Sequence, residues 1–157
     1  MAFSMCILSP DEVWTLGVPR LFGKRDLKTA TLRGGWSAPE ARHIWTDGPE
    51  AEQSIGVVPP DRPIALTVTA SPFVTDQIPH QDVFLFVNGR HIKAWRLKTA
   101  RDQKLSAVID PKLLLTENGI AILNCHWHLP KSARPSDLGL GSDSRELGLR
   151  FVSSTLH

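Results

Sequence analysis

An Asn-Gly dipeptide between two strand-like runs constrains the fold of this chain more than any other feature of its sequence. Residues 83–87 read Val-Phe-Leu-Phe-Val, which is apolar on both faces of a strand and predicts a central strand. Asn88 and Gly89 follow directly, and both tolerate the positive φ that a two-residue hairpin turn requires. We therefore expect residues 90–97 to return as an antiparallel strand.

The same two-residue period recurs elsewhere. Ile64, Leu66 and Val68 alternate with smaller or polar residues, as in a half-buried strand. Further strands are predicted at residues 27–32, 43–46, 53–58, 104–109, 119–127 and 147–153, and one helical turn at 110–115. Most of the twelve prolines lie between these segments. The pattern predicts an all-β, two-sheet antiparallel sandwich, jelly-roll-like, with about 8–9 strands, and leaves a barrel as the competing closure.

Composition narrows the class of protein. The 157 residues favour a single domain, 1–157, and a hydrophobic fraction of 41% is ordinary for a globular chain. A net charge of +2 without a basic cluster predicts no nucleic-acid partner. Cys6 and Cys125 are too few for a disulfide framework and favour buried, free thiols. No signal-like or membrane-spanning stretch is evident, so we expect a cytoplasmic protein, with any membrane association through a partner.

Two segments are distinctive, and with Asn88-Gly89 between them they carry a resemblance. The first reads Gly-Trp-Ser-Ala-Pro-Glu at 35–40 and continues with Trp-Thr-Asp-Gly at 45–48; the second reads Ser-Asp-Ser-Arg-Glu-Leu-Gly at 142–148. Together they resemble a β-sandwich accessory domain associated with bacterial polysaccharide glycosyltransferases and phosphoglycerol-transferase-like proteins. The match spans about residues 32–151 and leaves 1–30 as an N-terminal extension.

The resemblance implies a jelly-roll-like fold and a part in the synthesis of surface or exopolysaccharide. It implies a glycan or sugar-containing intermediate as ligand, and a glycosyltransferase or polysaccharide synthase as a possible protein partner. It supplies no catalytic residue and no cofactor.

Two tryptophans near the Gly-rich turn form the first candidate ligand site. A Trp ring can stack on the C–H face of a sugar while neighbouring charged groups bind its hydroxyls. Trp36, Glu40, Arg42 and Trp45 could together form such a saccharide platform. The alternative is that both rings close the core beneath the loop.

Asp143 and Arg145 form the second candidate site. They could bind the hydroxyls or a phosphate of a ligand. Alternatively, Arg145 could pair with Asp143 or Glu40 and fasten two loops together.

A pair of histidines near the end of a predicted strand is the weak metal candidate. Alternation places Ala121, Leu123, Cys125 and Trp127 on one face, and Asn124, His126 and His128 on the other. His126 and His128 have the spacing with which a strand can direct two imidazoles at one metal. A zinc site would need a third ligand, for which His43, His80 and His91 are the candidates. The alternative is a polar outer face without metal.

Catalytic templates are missing from the sequence. It has no G-x-S-x-G, H-E-x-x-H, P-loop or G-x-G-x-x-G motif. Glu40 and Asp143 could serve as a glycosidase pair only at a suitable separation. We therefore expect a non-catalytic, carbohydrate-binding accessory module. The alternatives are a protein-docking module for a glycosyltransferase or synthase complex, and a small hydrolase or metal-dependent enzyme.

Overall fold

The computed structural model describes residues 12–157, and within them the regular structure is almost entirely β. The strands are β1 (Val13–Trp14), β2 (Arg20–Leu21), β3 (Ile44–Trp45), β4 (Glu50–Val57), β5 (Ile64–Pro72), β6 (Gln81–Val87), β7 (Arg90–Leu97), β8 (Gln103–Ile109), β9 (Leu115–Glu117), β10 (Ile120–His128) and β11 (Leu149–Leu156). Short 3-10 helices occupy Thr29–Thr31, Pro111–Leu113 and Pro135–Leu138. Among the described residues there is no helix long and apolar enough to cross a membrane.

Two sheets pack face to face and confirm the predicted sandwich. The six-stranded sheet has the order β1-β4-β10-β6-β7, with β9 also paired to β10. The five-stranded sheet has the order β2-β11-β5-β8, with β3 also paired to β11. All these pairings are antiparallel except that of β1 with β4. The apolar positions predicted from alternation are all buried: Ile64, Leu66, Val68, Val83, Leu85, Val87, Leu123 and Trp127.

The predicted hairpin is present. Asn88 has φ of 50° and Gly89 has φ of 81°, and Val87 pairs with Arg90 across the turn. Strand β6 lies between β10 and β7, which confirms its central position. The Asn88 amide donates to the carbonyls of Leu113 and Ile122, so this turn residue also ties the hairpin to the neighbouring chain.

The predicted strand at residues 27–32 is wrong. Thr29–Thr31 is a 3-10 helix, in which the Thr31 hydroxyl donates to the Lys28 carbonyl. Side chains such as Thr compete locally for backbone groups, and here a turn replaces a strand. Only Leu32 keeps a β-bridge, to Gln53.

Two further differences concern short or early strand segments. Strand β4 begins at Glu50, three residues before the predicted 53–58 segment. Strands β1, β2 and β9 were not predicted. Strands β1 and β2 add the described part of the 1–30 segment to both sheets, and β9 begins at Leu115, the last residue of the expected helical turn. The expected turn after Asp110 is confirmed, because the Asp110 carboxylate accepts a hydrogen bond from Lys112 N.

Candidate functional site

Arg145 joins the two distinctive segments of the sequence. Its guanidinium binds both oxygens of Asp143, with Nη2–Oδ2 at 2.8 Å, and donates to Ser37 Oγ at 2.9 Å. It also contacts Glu40 Oε2 at 3.4 Å. Arg145 therefore pairs with both carboxylates and joins the two loops, which was one of the two alternatives for this residue. Glu40 and Asp143, considered above as a glycosidase pair, both contact its guanidinium.

The charges in this loop network stabilise one another. Hydrogen bonds from Arg145 lower the pKa of Asp143, and the same carboxylate raises the pKa of Arg145. His43 Nε2 lies 3.1 Å from Glu40 Oε2, so this carboxylate also has a second partner. The Arg145 donors thus bind groups of the protein itself.

Trp36 and Trp45 contact different parts of the molecule. The Trp36 ring packs against Phe22 and Phe151 of the core, with centroids 6.3 and 5.0 Å away, and its Nε1 donates to the Glu52 carbonyl. Half-buried Trp45 instead lies below the Arg150 guanidinium, 5.9 Å from its ring centroid.

Arg42, the remaining member of the expected platform, is exposed and lines a separate groove with Leu21 and Arg25. Sugar binding by Trp36, Glu40, Arg42 and Trp45 together stays a prediction.

The outer face of the six-stranded sheet carries a second group of side chains. Cross-strand register places His128 between Glu50 of β4 and Phe84 of β6. On the next rung, His126 lies between Glu52 and Phe86. We call these six residues the Phe–His–Glu face. Two rungs of identical composition thus lie side by side on three neighbouring strands.

Contacts within the Phe–His–Glu face follow this register. Phe84 and His128 have ring centroids 5.8 Å apart, and those of Phe86 and His126 are 5.9 Å apart. The Glu50 carboxylate binds His126 Nε2 through one oxygen and His128 Nδ1 through the other, the latter at 2.5 Å. Although burial opposes it, hydrogen bonds from both histidines lower the pKa of Glu50.

A shallow groove of about 230 Å³ borders the second rung. Glu52 and His126 form part of its wall, together with Ser54, Asn124 and Arg33. Ser54 Oγ donates to Asn124 Oδ1 at 2.8 Å. The groove therefore places hydroxyl, amide and carboxylate groups beside the His126 ring, which packs against Phe86.

The histidines do not assemble a metal centre. Within residues 12–157, no group of three or more His, Cys, Asp or Glu side chains has the arrangement to hold a metal ion. His43 contacts Glu40, and His80 lies 3.6 Å from Asp82. His91 packs on Phe84 and Phe86, beside the Phe–His–Glu face.

Sequence reasoning found the histidines of this face but missed its other four residues. The predicted strand started at residue 53, which left Glu50 and Glu52 outside the sheet. Phe84 and Phe86 were expected only as part of a strand apolar on both faces. One signal in the sequence could have identified them. The two glutamates and the two phenylalanines are each two positions apart, as His126 and His128 are, so each pair lies on one face of its strand.

No protein-family model matches this sequence, and no curated protein matches it either.

Proposed function

We propose that this chain is a non-catalytic carbohydrate-binding module and that its sugar site is the Phe–His–Glu face. The observation that carries the proposal is the pair of in-register Phe–His–Glu rungs beside a polar groove. It places half-buried aromatic rings and hydrogen-bonding groups on one face of the sheet.

The chemistry of this face suits a sugar. A pyranose presents an apolar C–H face, which can pack on Phe84 or Phe86, and a rim of hydroxyl groups. Carboxylates accept hydrogen bonds from hydroxyls, whereas imidazole and amide groups can both donate and accept them. Adjacent strands hold these side chains, so little ordering is needed when a ligand binds.

The loop network around Arg145 is less suited to a ligand. Asp143, Ser37 and Glu40 already receive hydrogen bonds from its guanidinium. A ligand there would have to displace charge-assisted hydrogen bonds within the protein. On the outer face Glu50 is engaged in the same way by His126 and His128, but the Glu52 carboxylate makes no hydrogen bond within residues 12–157. We infer that the network fastens the loops and that the outer face binds the sugar.

The motif resemblance suggests the process in which such sugar binding would act, namely polysaccharide synthesis. An accessory module of a polysaccharide glycosyltransferase or synthase would hold the growing glycan or a sugar-containing intermediate near the enzyme. Docking of a protein on the same face is the competing proposal.

Isothermal titration calorimetry with neutral and charged oligosaccharides tests the proposal. We expect weak binding, with Kd of roughly a millimolar to tens of micromolar, because few contacts must offset the entropy of association. The double variant Phe84→Ala/Phe86→Ala should lose this binding. Val108→Ala, an exposed change on strand β8 of the other sheet, should retain it.

Circular dichroism must show that the double variant keeps its β structure. If it does not, the single variants Phe84→Leu and Phe86→Leu, which keep apolar volume but remove the flat ring, replace it. Absence of oligosaccharide binding to the wild-type protein would contradict the proposal. The proposal would also be contradicted if Trp45→Ala lost oligosaccharide binding while the folded phenylalanine variants kept it.

A further inference from the structure

Glu52 differs from the other charged groups of the Phe–His–Glu face because its carboxylate has no close partner. The nearest recorded group is His126 Nδ1, at 3.9 Å, which is too far for a hydrogen bond. The Glu52 side chain is 57% exposed at the wall of the groove. Glu50, by contrast, is bound by two histidines.

The backbone of Glu52 is held firmly although its carboxylate makes no hydrogen bond to any described residue. Glu52 N donates to the Gly34 carbonyl at 2.9 Å. Its own carbonyl accepts hydrogen bonds from Arg33 N at 2.9 Å and from Trp36 Nε1 at 2.8 Å. Residues 33–36, which include Trp36 of the Gly-Trp-Ser motif, thus fix the backbone of Glu52.

The arginine that lines the groove is already engaged. Arg33 is the one permanent cation among the described residues that line this groove, and its Nη2 lies 2.9 Å from the Glu12 carboxylate. Its Nη1 donates to the Ala30 carbonyl. Glu52 therefore retains a negative charge for a ligand to neutralise.

We propose that the groove takes a protonated amine of an amino sugar, with Glu52 as its acceptor. This inference rests on the proposed function, and it specifies the class of glycan that the same site prefers. The amine lies against the Glu52 carboxylate, the sugar ring packs beside Phe86 and His126, and the Ser54–Asn124 pair receives hydroxyl groups. Trp36 is a positioning residue, because it acts on the amine only through the Glu52 backbone.

Binding of matched oligomers tests the preference. Glucosamine oligomers, N-acetylglucosamine oligomers and glucose oligomers of one length are titrated at low salt, at a pH where the free amine is protonated. An exposed ion pair predicts about fivefold tighter binding of the amine form than of the N-acetylated form. Because salt screens exposed charges, the difference should shrink at high salt.

Three variants test whether Glu52 produces the preference for the amine form. Glu52→Gln should abolish the difference in affinity between amine and N-acetylated oligomers, and any other change in affinity should be shared by all three oligomers. Asp61→Asn, which removes a carboxylate from an exposed turn, should leave the difference unchanged. Trp36→Phe removes the Nε1 donor and should reduce the difference, whereas a purely structural effect would weaken all three oligomers alike.

Equal binding of all three oligomers to the wild-type protein would overturn the amine preference and leave the sugar site standing. An amine preference that survives in folded Glu52→Gln would overturn the assignment of Glu52. Failure of every oligosaccharide to bind would overturn the proposed function itself, and the inference with it.

Discussion

Arg145 shows how one residue can join distant parts of the chain. Its contact with Glu40 spans 105 positions of sequence, whereas Asp143 is only two positions away. A planar guanidinium can bind both oxygens of one carboxylate and still donate to other groups. The contact was predictable because the charged residues lie in two distinctive motifs, but the role of Ser37 was not, since a serine carries no such signal.

Replacing Arg145 with Lys should destabilise the protein by about 1 kcal/mol, because an ammonium cannot reproduce the planar, bidentate contact. Urea unfolding followed by circular dichroism measures the change. Arg62→Lys is the matched control, because Arg62 is exposed and its recorded hydrogen bond is to the adjacent Pro63 carbonyl. Equal midpoints for Arg145→Lys and the wild-type protein would show that the network adds no stability.

Asp143 should make the free energy of unfolding depend on pH in the acidic range. Its pKa is lowered in the folded protein by hydrogen bonds from Arg145, so its contribution is fully present above the unfolded value of about 4. That contribution is lost as the pH falls through the lower, folded pKa. Asp143→Asn should therefore be less stable than wild type at neutral pH, and the gap should narrow in acid.

Urea midpoints measured over a series of pH values check this dependence. A gap between wild type and Asp143→Asn that stays constant, or widens, as the pH falls would contradict the assignment.

At the scale of elements, the sequence predicted the long strands well, but of the four short strands among the described residues it predicted only β3, within the expected 43–46 segment. Strands β5, β6, β7 and β10 have clear apolar periods or a decisive turn. Two-residue strands such as Val13–Trp14 carry too few residues to show a period. At residues 27–32 the local hydrogen bond of Thr31 prevailed over β propensity.

The same limit explains what was missed at the candidate site. Glu50 and Glu52 belong to β4, but charged residues at the start of a strand look like a solvent-exposed loop in sequence. Their position beside His126 and His128 depends on the pairing of β4 with β10, which are distant in the chain. Local patterns cannot specify which strands become neighbours.

The turn between β6 and β7 can be tested by replacing Gly89. A Cβ atom at Gly89 would meet nothing within 4 Å, so the cost of Gly89→Ala comes from its φ of 81° alone. We expect a loss of about 1 kcal/mol in the free energy of unfolding. Gly34→Ala is the matched control, since Gly34 has equal space and no positive φ. Equal stability of the two variants in urea would contradict the turn assignment.

At the scale of the whole molecule, both sheets contribute to one aromatic core. Trp127 of the six-stranded sheet meets Phe151 of the other sheet edge-on, with centroids 5.2 Å apart, and stacks on Trp95 at 6.1 Å. Cys125 lies on the same buried face of β10. Access of solvent to this residue therefore requires the sheets to separate or the strand to detach.

Burial raises the pKa of the Cys125 thiol to about 12, and the thiol should be inert in the folded protein. The second cysteine, Cys6, lies outside the described residues, so the test uses Cys6→Ser. We expect reaction of this variant with a thiol reagent to be at least about a hundredfold slower without urea than in unfolding urea, because only the open state reacts. Similar rates in both conditions would show that the Cys125 thiol is not enclosed between the two sheets.

We propose above all that a glycan binds the outer face of the six-stranded sheet. Two-dimensional 1H–15N NMR during titration with an oligosaccharide locates the binding site residue by residue, because each backbone amide reports its own surroundings. We predict that the largest shift changes fall on residues 50–54, 84–86 and 124–128. Changes confined to residues 36–45 and 143–145, with the sheet amides unaffected, would contradict the claim and place the sugar at the loop network.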